Sequence, residues 1–411
     1  MRRNAALFVA ISLLSGFGST TMSLVTGIWL LDLTGSASLA ALAGLCVFAP
    51  QLAGPWLGGV LDRLPRLAVV VTANLLLAAT LLSLLAVRAA DDAWILFAVS
   101  LAYGTSYVII EAGESALLPR ALDPDRLADV NGWRGSAQEG TKLVAPLAGA
   151  GLYAWQGGHL VAVVSAAMPV LVAILYLAVR FTDAPSTPPP DRERGLRAGL
   201  AVLRREPAIH VSVALAAVAI AMTGFTTAAL YQVVTVDLRL PTTFLGVLVS
   251  AQGAGSLAAG LVAGRIIARR GPTAVAVVGA VGYATACLLR CPPWWPANVA
   301  ASVLAGIGLM LALVAAVTAV QTHTPQHLLG RVSATANTAM FAPLALAIPL
   351  GSAAVHLGGR ATFVIAATLC LAAATVAYRR QAPTPAASPV ADAMSEQAGT
   401  TGPMSTPTGP R

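Results

Sequence analysis

The sequence predicts an all-α membrane protein with twelve transmembrane helices, arranged as two pseudo-symmetric six-helix bundles. Three observations carry that prediction. The 411 residues are 57% hydrophobic and only 10% charged, with a mean hydropathy of +0.77, whereas soluble domains carry about 25% charged residues. Apolar runs of spanning length, about 20 residues each, recur twelve times. Two sets of landmarks repeat at a single offset: Gly59 aligns with Gly264 and Arg126 with Arg331, 205 residues apart in both cases. One offset shared by independent landmarks signals a unit present twice, the logic of a rocking transporter.

The spans are expected at 7–31, 38–60, 67–87, 93–117, 128–152, 159–180, 208–235, 243–267, 273–290, 297–320, 332–356 and 361–379. Lipid offers no water to the backbone, so such runs must close their own hydrogen bonds as helices. Met1-Arg2-Arg3 before an apolar run imitates a signal peptide. No small-residue cleavage site follows and the run reaches full spanning length, so it reads as the first helix. That helix carries Ser19, Thr20, Thr21, Ser23 and Thr26, which either pack or line a cavity, and Asp32 at its outer end reads as solvated. The second helix runs through Gly58 into an acid flanked by arginines, Asp62-Arg63-Leu64-Pro65-Arg66, a capped basic turn. In the second half, Leu257 to Arg270 again runs from a glycine-rich helix end into a basic turn.

These features divide the chain into a first bundle at 1–181, a linker at 182–206, a second bundle at 207–380 and a tail at 381–411. The linker holds Pro185, Pro188, Pro189 and Pro190 and then Asp191-Arg192-Glu193-Arg194, which reads as a short amphipathic helix on a membrane surface. The tail is Ala-, Pro-, Ser- and Thr-rich, a composition that remains disordered.

The net charge of +8 does not indicate nucleic acid. With a cytoplasmic N-terminus, nineteen of the twenty-five basic residues fall in cytoplasmic segments, as the positive-inside rule requires. Trp29, Trp94, Trp155, Trp294 and Trp295 then lie at the outer ends, as an interfacial belt should. Both termini are expected in the cytoplasm and the protein in the cell membrane. Cys46, Cys287, Cys291 and Cys370 lack ligand spacing and read as small packing residues. His323 and His327 lie in a loop without a third ligand, so no metal is expected. No glycine-rich phosphate loop followed by Lys is present, and no nucleophile–base pair points to an enzyme.

Gly58 to Arg66 resembles the loop 2–3 signature G-x-x-x-D-R-x-G-R-R of the major facilitator superfamily, with Pro65 in place of a glycine and Leu67 in place of the last basic residue. Gly140 to Ala150, including Pro146 and Gly149, resembles that superfamily's antiporter signature on helix five, with alanines at 145 and 150 where glycines are usual. Leu31-Asp32-Leu33-Thr34-Gly35-Ser36 and Ala116-Leu117-Leu118-Pro119 resemble the drug/proton antiporter branch that includes macrolide and siderophore exporters. The resemblance implies the major facilitator fold, a monomer, and a conformational latch of Gly58, Asp62, Arg63 and Arg66. In that latch Asp62 would dock against a second-half helix and stabilise the outward-open state. It also implies export by antiport.

Charge inside the fourth and fifth helices locates the chemistry. Glu111 and Glu114 share a face of one helix, and Arg134, Glu139 and Lys142 lie on the next. A charge near a bilayer centre costs roughly 2.5–3.5 kcal/mol even on the mildest scale, so these groups need partners or water. Glu111 and Arg134 lie at similar depth and can pair, as can Glu139 and Lys142. Three carboxylates against two cations leave one acid over. Desolvation disfavours a charged carboxylate, so that acid can exchange a proton, with Glu139, Glu111 and Glu114 as candidates. Arg134, Lys142, Asn131, Gln138, Tyr231, Gln232 and Asn337 are the candidate substrate or counter-charge groups. The expectation is a secondary transporter exporting a small amphiphilic molecule by proton antiport, with the proton gradient as energy source and no cofactor. An importer of a nutrient or siderophore, a non-transporting sensor on the same scaffold, and two purely structural salt bridges are the alternatives.

Overall fold

The computed structural model of the protein describes residues 2–52, 64–122, 124–181, 203–325 and 328–381. Helices α1 (Arg2–Thr34), α2 (Ala37–Leu52), α3 (Arg66–Leu82) and α4 (Ala93–Ala121) lead into one helical run, Pro124–Ala178. Straight, those 55 residues would reach about 80 Å at 1.5 Å per residue, more than twice a bilayer core. The run instead breaks at Gly157, where φ is 71° and ψ is −171°, in the left-handed region that favours glycine. The break separates α5 (124–156) from α6 (158–178). Its corner is packed by Trp29 against Gly158 and by the His159 ring, edge-on to Trp29 and 2.7 Å from the Val87 carbonyl.

The second half contains α7 (Pro207–Phe225), α8 (Phe244–Arg270), α9 (Pro272–Leu289), α10 (Trp295–His323), α11 (Leu329–Ala354) and α12 (Gly359–Gln381). Thr227–Gln232 and a π turn at Val233–Asp237 prolong α7. Ten helical stretches are long and apolar enough to cross a membrane, with α5 and α6 counted as one and the shorter Ala37–Gln51 beside them. Counting these as passes gives the twelve that hydropathy predicts. The lower part of the second predicted span, the linker from 182 to 202 and the tail from 382 lie outside the described residues.

Helices in lipid associate through close packing rather than a hydrophobic drive, which favours small residues at their contacts. A Cβ on Gly306 of α10 would lie 2.0 Å from the Gln252 carbonyl oxygen of α8, and one on Gly255 of α8 would lie 2.0 Å from that of Val303 on α10. Gly104 of α4 meets the Val47 carbonyl of α2 in the same way. These reciprocal approaches fix α8 to α10 inside the second half.

Between the halves, α2 lies against α11 and α5 against α8. At the tryptophan-bearing end one apolar core contains residues of both halves, Ile28, Leu30 and Ala40 together with Phe225, Val233 and Leu245. At the opposite, arginine-bearing end the cores separate. Phe8, Ile11, Leu117 and Tyr176 form one in the first half, and Ala263, Ile267, Val275 and Ala315 another in the second. The halves therefore share a core at the tryptophan end and keep separate ones at the basic end, with Leu42, Leu45 and Phe48 of α2 still packed on a further second-half core that includes Ile209 and Val332. Gly306→Ala should force α8 and α10 apart and cost about 1–3 kcal/mol of stability, read as a lower thermal unfolding midpoint of the purified protein.

Candidate functional site

On α5, at 100° per residue, Asn131, Arg134, Gln138 and Lys142 share one face, and Trp133, Val144 and Leu147 the opposite one. Asn131, Gln138 and Lys142 are exposed, and so are Trp133, Val144 and Leu147. Hydrocarbon accepts the apolar set and rejects the polar one, so the polar face looks into the gap between the halves. On α4, Tyr107, Glu111 and Glu114 follow i, i+4, i+7 spacing and turn toward it.

Arg134 is held from three directions. Its Nη2 donates to Glu114 Oε1, Nε donates to Ser12 Oγ of α1 at 3.0 Å, and Nη1 donates to Asn131 Oδ1 at 3.2 Å. The paired side chains are only 17% and 13% exposed. Depth along the hairpin predicts Glu111 as the partner; the structure pairs Glu114 instead. The reason is side-chain direction. Helical side chains lean toward the N-terminus of their own helix, which carries Arg134 back toward the hairpin turn and Glu114 away from it until they meet. Tyr176 of α6 stands beside the Glu114 carboxylate, although its hydroxyl completes no hydrogen bond.

Two turns beyond Arg134, Lys142 Nζ donates to Glu139 Oε1 at 2.5 Å, as the i, i+3 spacing predicts, with the lysine side chain 51% exposed. The other carboxylate oxygen, Glu139 Oε2, is buried without a partner. Glu111 lies next to Tyr107, with Arg134 as the cation that acts on it, yet no salt bridge reaches it among the described residues.

The helix-five motif splits between two environments. Pro146 has no N–H, so the Lys142 carbonyl loses its intrahelical donor. Gly253 of α8 closes on that carbonyl, where a Cβ would lie 2.5 Å from the oxygen. Gly149 packs on Thr21 and Val25 of α1. Gly140 has no such neighbour and borders an apolar groove of about 370 Å³ with Leu13, Phe17, Val144 and Met168, on the helix face away from the polar residues.

Of the expected latch, Gly58, Asp62 and Arg63 lie outside the described residues, and Arg66 opens α3, half-buried. The second-half candidates do not gather at the hairpin. Tyr231 is buried with its hydroxyl against Gly27 of α1, in the seal at the tryptophan end. Gln232 Oε1 is buried without a partner, near Gly359. Asn337 is exposed on α11. Ser12, Tyr107 and Tyr176 join the site without having been singled out in the sequence. Ser12 is 2% exposed, two turns before the hydroxyl-rich stretch of α1. Among the described residues no cluster of His, Cys, Asp and Glu could hold a metal ion.

Removing one member of a buried ion pair leaves the other charge uncompensated, at about 3–5 kcal/mol. Arg134→Gln should therefore lower the unfolding midpoint sharply by stranding Glu114. Combining it with Glu114→Gln should recover most of the loss, and thermal unfolding of the single and double variants in one detergent measures both effects.

No curated protein matches the chain. Solved structures do match its fold. A POT family transporter in complex with a thioalcohol-conjugated peptide superposes with a TM-score of 0.71 at 12% identity, covering 90% of this chain and 94% of that one. The nucleoside transporter NupG gives a TM-score of 0.69 at 14% identity over 92% and 98%. An inward-facing, unoccupied bacterial homologue of the human lysosomal transporter Spinster gives a TM-score of 0.66 at 15% identity over 92% and 96%. The profile of the Major Facilitator Superfamily matches residues 7–236 and again 211–402, and the two starts lie close to the internal repeat seen in the sequence. The chain belongs to the Major Facilitator Superfamily and is a membrane transporter of that type.

Proposed function

We propose that the protein exports a small amphiphilic molecule in exchange for protons, with Glu111 as the proton-carrying group. The observation behind this is the pairing pattern. Glu114 is committed to Arg134 and Glu139 to Lys142, so Glu111 is the acid left over. It is exposed on the face that looks into the gap, and a lone charge there is stable only while water or a counter-charge reaches it. Closing the gap around it favours the protonated form, and reopening on the other side favours release.

Arg134 then serves as a fixed counter-charge rather than a mobile substrate contact. Lys142 is half exposed and held by a single carboxylate, so it is the cation that a substrate can draw away. Asn131 and Gln138 offer neutral hydrogen bonds along the same face. The freed Glu139 would be a second, substrate-dependent acid. Export as the direction rests on the likeness of the helix-five segment to the antiporter signature, with Pro146 and Gly149 retained.

Inside-out membrane vesicles with an acid lumen provide the test. Across a panel of amphiphilic fluorescent dyes and drugs, at least one should accumulate when the pH gradient is imposed and leave when it is collapsed. Glu111→Gln should abolish gradient-driven accumulation while leaving substrate counterflow intact, and Glu139→Gln should weaken apparent affinity first. Gradient-driven accumulation that survives Glu111→Gln would remove the assignment. Accumulation in right-side-out vesicles instead would favour an importer.

A further inference from the structure

We propose that the α1–α2 corner, Asp32 to Ser38, is the latch that holds the two halves together at the tryptophan end, with Asp32 as its hub. The inference rests on the rocking of two halves but not on the substrate or the proton site. Asp32 Oδ2 accepts two hydrogen bonds: from the Tyr153 hydroxyl of α5 at 2.9 Å and from Thr242 Oγ1 of the second half at 3.3 Å. Six residues on, Ser38 Oγ donates to the Ser352 carbonyl of α11 at 2.7 Å. One corner therefore reaches two separate segments of the opposite half. An acid that the sequence alone presents as merely solvated joins α1, α5 and the turn before α8.

The corner is built to hold these groups still. Gly35, with φ 65°, ends α1 in the left-handed conformation that glycine adopts without strain, and its N–H donates to the Leu31 carbonyl at 2.8 Å. Thr34 Oγ1 donates back to the Leu30 carbonyl at 2.6 Å and accepts from the Ser36 N–H at 3.2 Å. Ser36 Oγ accepts from the Leu39 N–H at 3.3 Å, capping α2.

The receiving side is equally fixed. The Thr242 carbonyl accepts from the Leu245 N–H at 3.1 Å, tying Thr242 to the first turn of α8, and Ser352 follows Gly351, which lies against the Phe225 carbonyl of α7. Elsewhere across this seam the described contacts are of shape, such as Gly246 against Ala150 and Gly27 against Tyr231. Shape permits closure, whereas directional hydrogen bonds select one register and must break for the tryptophan end to open.

Double electron–electron resonance between spin labels reads this directly. Trp155 and Leu357 are exposed, at 73% each, on opposite halves at this end. With Cys46, Cys287, Cys291 and Cys370 replaced, Trp155→Cys/Leu357→Cys carries the label pair in lipid nanodiscs, and no substrate is required. The parent should show mainly the short distance. Asp32→Ala and Thr242→Val should each raise the long-distance fraction about fivefold, the weight of one net hydrogen bond. Their combination should add little over Asp32→Ala, and Asp32→Asn, which keeps an acceptor oxygen, should shift least. Unchanged distance distributions in both Asp32→Ala and Thr242→Val would overturn the latch. A long-distance population in the parent that these variants leave alone would overturn it while preserving rocking.

Discussion

The Glu114–Arg134 ion pair is the interaction on which the rest of the site depends. Two ionised groups inside a bilayer are tolerable only with good geometry and further hydrogen bonds, and Ser12 and Asn131 supply these to Arg134. That arrangement binds α4, α5 and α1 into one unit. It also leaves Glu111 without an ion pair among the described residues.

The second half contributes shape rather than charge. From 208 to 379 its one acidic residue is Asp237, in the π turn beyond Gln232. Its link to the charged helix is a backbone one. Pro146 frees the Lys142 carbonyl, and Gly253 brings α8 against it. The carbonyl belongs to the residue whose ammonium pairs with Glu139, which places that pair at the crossing of α5 and α8. The Gly255 and Gly306 contacts then hold α8 to α10, so that a movement of α8 carries its own bundle with it.

Most of the fold was legible in the sequence, for physical reasons. Apolar runs in lipid can only be helices, and basic residues collect at one end. The Glu139–Lys142 pair was also legible, because i, i+3 spacing on one helix needs no tertiary information. The Glu114–Arg134 pair was not. Residue counting gives depth to within a turn, and the choice between two glutamates a turn apart rests on side-chain lean and on Ser12 from a third helix. Asp32, read as solvated, is exposed, but its hydrogen-bond partners were not legible, for a similar reason. Its partners, Tyr153 and Thr242, lie 121 and 210 residues away, and nothing local distinguishes a hub from a solvated helix end. Tyr231 and Gln232 carry the right chemistry for a passage, yet they lie in the seal and beside Gly359, because polarity alone does not reveal which face of α7 looks inward.

In the proposed mechanism Glu111, rather than Glu114 or Glu139, is the carboxylate free to change its protonation in the resting transporter. Infrared difference spectroscopy of the protein in lipid, recorded between neutral and mildly acid pH, sees the carbonyl stretch of a protonated carboxyl group directly. A band that titrates in the parent and in Glu114→Gln but vanishes in Glu111→Gln is the expected result. A band that persists unchanged in Glu111→Gln and disappears in Glu139→Gln would place the proton on the other carboxylate and contradict the account.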